Sequence, residues 1–221
     1  MVGAYQKALK LLPSDPSLHL ALAMALSKDG RPSEAEEHFR AALASAPESP
    51  QLMTIVGRVY AEIGRFDRAI ELYRKALERS PKSVPIRLDL AVALETKGDV
   101  AAAIEQYRRV LTQSAGSPAA ANNLAWLYAT QPDESHGNSA ESLKLARQAC
   151  EATEYQRPGY LDTLAAAHAA NGDFSAAVEV ARKAVLLAAA MGQEELAKDL
   201  KARLQLYLAK MSYQEPAARE P

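Results

Sequence analysis

The sequence predicts an all-α fold, a right-handed superhelical solenoid of antiparallel helix pairs, and three observations support this prediction. Gly30, Gly64 and Gly98 are 34 residues apart, and Gly172 follows 74 residues later, which is two such periods with six inserted residues. Small and aromatic residues return at the same offsets within each period, and prolines end the first periods. A fixed period of this length is typical of stacked-repeat proteins.

Each period is predicted to form two helices with the glycine between them. Apolar positions spaced three and four residues apart lie on one face of a helix. The glycine is expected to end the first helix in a left-handed conformation, and Ser33, Asp67 and Ser175 are expected to cap the second helix. The recurring small residues are Ala23, Gly57, Ala91, Ala125 and Ala165 in the first helix and Ala35, Ala69, Ala103 and Ala177 in the second, where Phe39, Tyr73 and Tyr107 supply the aromatic position.

The period also assigns the order of elements. Residues 1–15 match only the second helix of a truncated repeat, and its apolar stripe would be covered by upstream repeats or by a second copy of the chain. Residues 192–211 are expected to form an amphipathic capping helix, and residues 212–221 a disordered tail. Five repeats are predicted between these ends, at residues 16–49, 50–83, 84–117, 118–157 (with an insertion at 131–139) and 158–191.

These residues resemble the tetratricopeptide repeat (TPR) family. The segment Val56-Gly57-Arg58-Val59-Tyr60, continued by Gly64, Phe66, Ala69, Tyr73, Ala76 and Pro81, matches the family pattern almost in full. The fourth repeat departs from it at Ser142 and Ala146, which predicts looser or different packing there. The stretch 122–130 together with 158–165 is similar to the last repeats of larger bacterial TPR proteins.

The resemblance implies that the first helices line a concave groove that holds a partner. Trp126 is then either an anchor for that partner or an aromatic residue packed against the inserted loop, and Asn122 and Asn123 either bind or are simply solvated. The groove positions of the family fall on Leu20, Met24, Arg58, Asp89, Val92, Asn122, Asn123, Trp126, Asp162 and Thr163.

Composition gives no sign of an enzyme, a cofactor or a metal. The net charge of −1 offers no general attraction for nucleic acid, and no apolar run reaches the ~20 residues that a bilayer requires. Cys150 replaces a core leucine, which favours a buried thiol over a nucleophile. His136, beside Asp133 and Glu134 in the insertion, has no second histidine or cysteine at ligand spacing, so a metal site is not predicted there.

The sequence therefore predicts a non-enzymatic scaffold that binds a peptide or helix of a protein partner. The alternatives are a regulatory or substrate-presenting domain of a larger enzyme, such as a membrane glycosyltransferase, and a self-assembling module that dimerises through the exposed N-terminal helix. No cofactor, metal, nucleic acid or direct membrane insertion is expected. The compartment is left open, with the cytoplasm favoured and the periplasm allowed if the chain is part of an exported protein.

Overall fold

The computed structural model describes residues 1–131 and 138–215, and every regular element in these ranges is an α-helix. The predicted all-α fold class is therefore confirmed. Residues 132–137, with most of the predicted insertion and His136, and residues 216–221 lie outside the described residues. The helices are α1 (Val2–Leu11), α2 (Pro16–Lys28), α3 (Pro32–Ser45), α4 (Pro50–Glu62), α5 (Phe66–Arg79), α6 (Val84–Lys97), α7 (Val100–Gln113), α8 (Pro118–Thr130), α9 (Ser139–Glu151), α10 (Pro158–Ala170), α11 (Phe174–Ala190) and α12 (Glu194–Leu208).

The chain divides into two compact units, Met1–Lys97 and Gly98–Pro221. In the N-terminal unit, α2 packs with α3 and α4 with α5, while α1 lies on α2 and α6 on α5. In the C-terminal unit, α8 packs with α9 and α10 with α11; α10 also contacts α8, and α12 lies on α11 with further contacts to α10. The two helices of each pair follow one another in the chain, and helices joined by short connections are antiparallel neighbours. Each unit is therefore built from stacked helix pairs.

The recurring small and aromatic positions form the core of the pairs. Ala69 and Ala76 on α5 are fully buried, and so is the Tyr73 ring between them in sequence. Gly57 on α4 lies directly under this ring, because a Cβ atom built there would be only 2.7 Å from Tyr73 Cε1. Small residues thus allow close helix approach at the positions where aromatic side chains fill the interior.

The glycines end the first helices in the left-handed conformation that the sequence predicts. Gly64 has φ +77° and Gly172 has φ +77°. At the first of these turns, the Gly64 amide donates to the Ala61 carbonyl at 3.0 Å and the Arg65 amide to the Tyr60 carbonyl at 2.8 Å. This pair of bonds satisfies carbonyls that a helix end otherwise leaves without a partner.

The predicted N-caps of the second helices are wrong by two residues. Helices α3, α5 and α11 begin at Pro32, Phe66 and Phe174, so Ser33, Asp67 and Ser175 lie within the first helical turn. The glycine turn needs one further residue before the next helix starts, and that residue is the cap. Among the second helices, the caps that do accept a backbone N–H are Asp99, from Ala102 at 3.3 Å, Asn138, from Glu141 at 3.1 Å, and Asp173, from Ala176 at 3.0 Å.

The end of α12 repeats the glycine turn without a glycine. Lys210 has φ +56°, its amide donates to the Tyr207 carbonyl at 3.0 Å, and the Met211 amide donates to the Leu206 carbonyl at 2.9 Å. The chain then turns back onto the C-terminal unit. The sequence predicts a disordered tail from Ser212, and in the structure residues 212–215 of this tail contact α8, α10 and α12.

Candidate protein-binding faces

The predicted groove residues of the N-terminal unit lie on α2, α4 and α6, and we call this set, together with Ile55 on α4, the N-terminal face. Leu20 and Met24 are half-buried on α2. Arg58 on α4 donates from Nε to Asp89 Oδ2 on α6 at 2.8 Å, so the structure brings these two predicted residues together as an ion pair. Val92, one turn further along α6, is 42% exposed.

A surface pocket of about 360 Å³ adjoins this ion pair. Ile55 forms part of its wall and is 40% exposed, although it carries a large apolar side chain. The sequence analysis did not include Ile55 among the groove residues. Its position could have indicated it, because this isoleucine lies off the buried stripe of α4 and three residues before Arg58. The pocket is lined by Pro50, Gln51, Thr54, Ile55, Arg58, Ser80, Ser83 and Ile86.

In the C-terminal unit, the predicted amide residues form a chain of hydrogen bonds on α8. Asn123 Nδ2 donates to the hydroxyl of Tyr107 at 3.0 Å, and Asn122 Nδ2 donates to Asn123 Oδ1 at 3.2 Å. Asn122 Oδ1 is buried and accepts no hydrogen bond from any described residue. The pair is therefore fixed by the repeat aromatic Tyr107, and one acceptor in it remains unused.

The predicted residues of α10 are buried. Thr163 donates to the Gly159 carbonyl at 3.2 Å within its own helix. Asp162 is 5% exposed and forms an ion pair with Arg203 on α12, with nitrogen–oxygen distances of 2.7 and 3.0 Å. Burial raises the pKa of Asp162 above its usual value, and Arg203 opposes this rise. Sequence reasoning missed Arg203, because it follows Asp162 by 41 residues and lies outside the repeat pattern.

Trp126 lies at the centre of an aromatic and cationic cluster. The Arg203 guanidinium is 5.5 Å from the centre of the Trp126 ring and 5.2 Å from the centre of the Tyr213 ring. The two rings are 5.6 Å apart at an angle of 38°. The indole N–H of Trp126 donates to the carboxylate of Glu215. The side chain that was a candidate anchor is thus contacted by residues of the chain's own C-terminal segment.

Backbone groups at the ends of α8 and α10 also hold this segment. The Glu215 amide donates to the Thr130 carbonyl at 3.0 Å, and the Ser212 hydroxyl donates to the Ala169 carbonyl at 3.0 Å. Thr130 is the last residue of α8, where carbonyls lack an intrahelical partner. Residues 212–215 therefore complete the hydrogen bonding of a helix end in the C-terminal unit.

Cysteine and histidine side chains elsewhere in the described residues contact other groups of the chain. Cys150 is fully buried, its thiol contacts the Tyr160 carbonyl at 3.3 Å, and burial raises its pKa to about 12. His19 and His38 share a contact of 3.0 Å between their Nδ1 atoms. Within residues 1–131 and 138–215, no group of three or more metal-ligating side chains is present, and no helix is long and apolar enough to cross a membrane.

Comparison with known proteins identifies the repeats. A family model for the tetratricopeptide repeat matches residues 2–50, 20–84, 56–118 and 88–159, and a second one for the same repeat matches residues 158–183. No curated protein sequence matches the chain.

Solved structures share the fold at low sequence identity. PilW, a type IV pilus biogenesis factor, is 20% identical with a TM-score of 0.68, and the match covers 90% of this chain and 88% of PilW. YrrB, described as a TPR protein with an unusual peptide-binding site, is 17% identical with a TM-score of 0.64, covering 91% and 100%. Yeast Tom70 is 18% identical with a TM-score of 0.66, covering 94% and 43%.

Proposed function

We propose that this chain, which belongs to the tetratricopeptide repeat family, is a protein-interaction module that binds a peptide or a helix of a partner. The observation that carries the proposal is the N-terminal face. Ile55 and Val92 are large apolar side chains that lie exposed on α4 and α6, and Ile55 forms part of the wall of a pocket of about 360 Å³. A pocket of this size accommodates one or two side chains of a bound segment.

The composition of this face suits a partner with an apolar anchor and flanking polar groups. Ile55 and Val92 offer apolar area, and the Arg58–Asp89 pair offers a cation and a carboxylate that are both partly exposed. Apolar anchors supply most of the energy in such interfaces, while polar groups at the rim fix orientation. YrrB, which shares the fold, has a peptide-binding site, and this supports the same role here.

Site-directed photo-crosslinking tests the proposal. A photoreactive amino acid replaces Ile55 or Val92 on the N-terminal face, or Arg74 on α5 as a control, since Arg74 is also exposed. In cells of the source, the two face positions should crosslink to the same protein, and Arg74 should not. Equal crosslinking at all three positions, or none at Ile55 and Val92, would contradict binding at this face.

A second candidate function is self-association through α1. Leu11 and Leu12 at its end are largely exposed, and no residue of α1 is fully buried. Light scattering of the purified chain tests this: self-association should raise the mass above 23.8 kDa as concentration increases, and Leu11→Ser with Leu12→Ser should restore the single-chain mass. A mass of one chain at all concentrations removes this candidate and leaves the first one unaffected.

A further inference from the structure

The segment of residues 212–215 lies on the C-terminal unit in the way that an extended peptide ligand would. None of its residues belongs to a helix. The Glu215 amide and the Ser212 hydroxyl each donate one hydrogen bond to a backbone carbonyl. The Tyr213 ring contacts the Trp126 ring, and the Glu215 carboxylate accepts a hydrogen bond from the Trp126 indole. Main-chain pairing combined with side-chain pockets at alternate residues is a common mode of peptide recognition.

The surface that receives this segment includes Trp126, Thr130, Ala169 and Arg203, with Asp162 holding Arg203 in place, and we call it the Trp126 site. Its chemistry selects two features of a ligand. The Trp126 ring and the Arg203 guanidinium together attract an aromatic ring, through stacking and a cation–π contact. The indole N–H can only donate a hydrogen bond, so it requires an acceptor in the ligand such as a carboxylate or carbonyl oxygen. The ring of Tyr213 and the carboxylate of Glu215, two residues apart, meet both requirements.

Part of the Trp126 site is supported by contacts that do not involve the segment. Arg203 is held in place by its ion pair with the buried Asp162, which joins α12 to α10. Trp126 is positioned by α8, whose Thr130 hydroxyl donates to the Trp126 carbonyl at 2.9 Å. Neither contact involves residues 212–215, so we expect Arg203 and the backbone of Trp126 to keep their places when the segment detaches, ready for a ligand of the same kind.

Residues 212–215 are only partly buried against the rest of the chain. Ser212 and Gln214 are exposed, and Tyr213 and Glu215 are only half-buried. Segments with few buried contacts open at low free-energy cost compared with the core. The positive φ of Lys210 and the two hydrogen bonds of that turn lie before Ser212, so the segment can detach without disturbing α12.

We propose that the Trp126 site binds extended partner segments in which an aromatic residue is followed two positions later by a carboxylate, and that residues 212–215 are its built-in competitor. The inference rests on the proposed role in partner binding but concerns a different face, on the C-terminal unit. A tethered segment has an effective concentration on the order of millimolar. It therefore lowers the apparent affinity for a partner to the intrinsic affinity multiplied by the fraction of time the site is free.

A synthetic peptide of the chain's own sequence is the first probe. Fluorescein-labelled Met-Ser-Tyr-Gln-Glu-Pro, blocked at both ends, is titrated into the full chain and into a variant that ends at Met211, and anisotropy is recorded. The truncated variant should bind it at least tenfold more tightly. Trp126 is the one tryptophan of the sequence, so its emission should change on truncation and return when the peptide saturates the site.

Matched peptides and variants test the recognition chemistry. Replacing the tyrosine by alanine or the glutamate by glutamine in the peptide should each weaken binding to the truncated variant at least fivefold. In the full chain, Tyr213→Ala and Glu215→Gln should admit the unaltered peptide more readily, which keeps the test valid if the truncated variant fails to fold. Lys198→Ala on the exposed surface of α12 is the control and should behave as the unaltered chain.

The outcomes separate this inference from the proposed function. Equal affinity of the full and truncated chains, or no binding to either at millimolar peptide, would overturn the inference. A dimer held by exchange of the segment between copies, seen as a doubled mass that truncation abolishes, would overturn the intramolecular competition. Crosslinking at Ile55 and Val92 is independent of each of these results, so either proposal can fail while the other stands.

Discussion

At the scale of single residues, Gly57 shows how closely the helices of a pair approach. A Cβ atom at this position would lie 2.7 Å from Cε1 of Tyr73, whose side chain is 2% exposed and cannot move aside freely. Gly57→Ala should therefore cost ~1–3 kcal/mol through overpacking, partly offset by up to ~1 kcal/mol of helix propensity. We expect a net loss in the free energy of unfolding, measured by urea denaturation.

Gly159 provides the matched control for this substitution. It lies in the first turn of α10, and a Cβ atom there would meet no other atom within 4 Å. Gly159→Ala should leave stability unchanged or raise it by up to ~1 kcal/mol, because only the propensity term acts. If both variants gain stability equally, the close contact between Gly57 and Tyr73 is not a constraint.

The Arg203–Asp162 pair gives a second prediction for individual residues. Arg203→Leu would leave a carboxylate that is 5% exposed without its cation. Removing one partner of a buried pair typically costs ~3–5 kcal/mol, and we expect a loss near the lower end because Arg203 itself is only partly buried. The double variant Arg203→Leu with Asp162→Asn should lose less than the sum of the single changes, as a double-mutant cycle would measure.

The pH dependence of the Arg203→Leu variant follows from the same pair. Burial already raises the pKa of Asp162, and loss of Arg203 would raise it further. A carboxyl group whose pKa is higher in the folded state than in the unfolded state favours folding at low pH and loses that contribution as pH rises through the folded pKa. The penalty of the substitution should therefore be smaller at pH 4 than at pH 7. A penalty that does not change with pH would indicate that Asp162 ionises freely.

At the scale of secondary-structure elements, N-capping differs between otherwise similar helices. Ser117 caps α8 by accepting from the Ala120 amide, at 3.4 Å. Arg157 occupies the same position before α10, with extended backbone angles and no side-chain cap. Asparagine is among the best N-cap residues, so Arg157→Asn should raise the melting temperature of the chain, whereas Ser117→Ala should cost ~1 kcal/mol. Opposite or equal shifts would show that capping does not limit these helices.

The sequence predicts some elements well because they follow from local chemistry. The glycines mark the ends of first helices, since the left-handed turn at a position such as Gly64 favours a residue without a Cβ atom. The N-caps predicted at Ser33, Asp67 and Ser175 lie two residues too late, because the glycine turn places Arg31, Arg65 and Asp173 at the cap. An arginine carries no capping signal in the sequence, so only the turn geometry identifies the cap at two of these three helices. Lys210 occupies the same turn type at the end of α12 although it is not glycine, and the period alone does not predict that.

The Trp126 site was less predictable from the sequence than the helix ends, because its contacts are not local. The repeat pattern assigns Trp126 and Asp162 to first helices, but their partners Arg203, Tyr213 and Glu215 lie beyond the last repeat and follow no period. Contacts between residues so far apart depend on tertiary folding, which a pattern of spacings does not encode. Asn123 is an intermediate case, since its partner Tyr107 is itself a repeat aromatic.

At the scale of the whole molecule, charge and composition favour recognition of proteins through specific surfaces. The net charge is −1, which gives little long-range attraction to a charged molecule of either sign. Apolar side chains on the N-terminal face and the aromatic Trp126 site offer local rather than global attraction. Binding at either face should therefore change little with salt, in contrast to binding through many charge contacts.

Two native reporters allow the stability of the C-terminal unit to be measured without added labels. Cys150 and Trp126 are the one cysteine and the one tryptophan of the sequence, and both lie in this unit. Burial raises the pKa of Cys150 to about 12, so the reactive thiolate is scarce at pH 8 and reaction with a disulfide reagent should be slow. Since α8, α9 and α10 are in mutual contact, the unit should open cooperatively. Thiol labelling and the change in Trp126 emission should then share one urea midpoint.

Two variants serve as controls for the thiol labelling. Cys150→Ala supplies the blank, and Lys183→Cys, at an exposed position, supplies a thiol that should react fast. Labelling of Cys150 at a clearly lower urea concentration than the Trp126 transition would mean that α9 separates from its neighbours first, and would contradict cooperative unfolding.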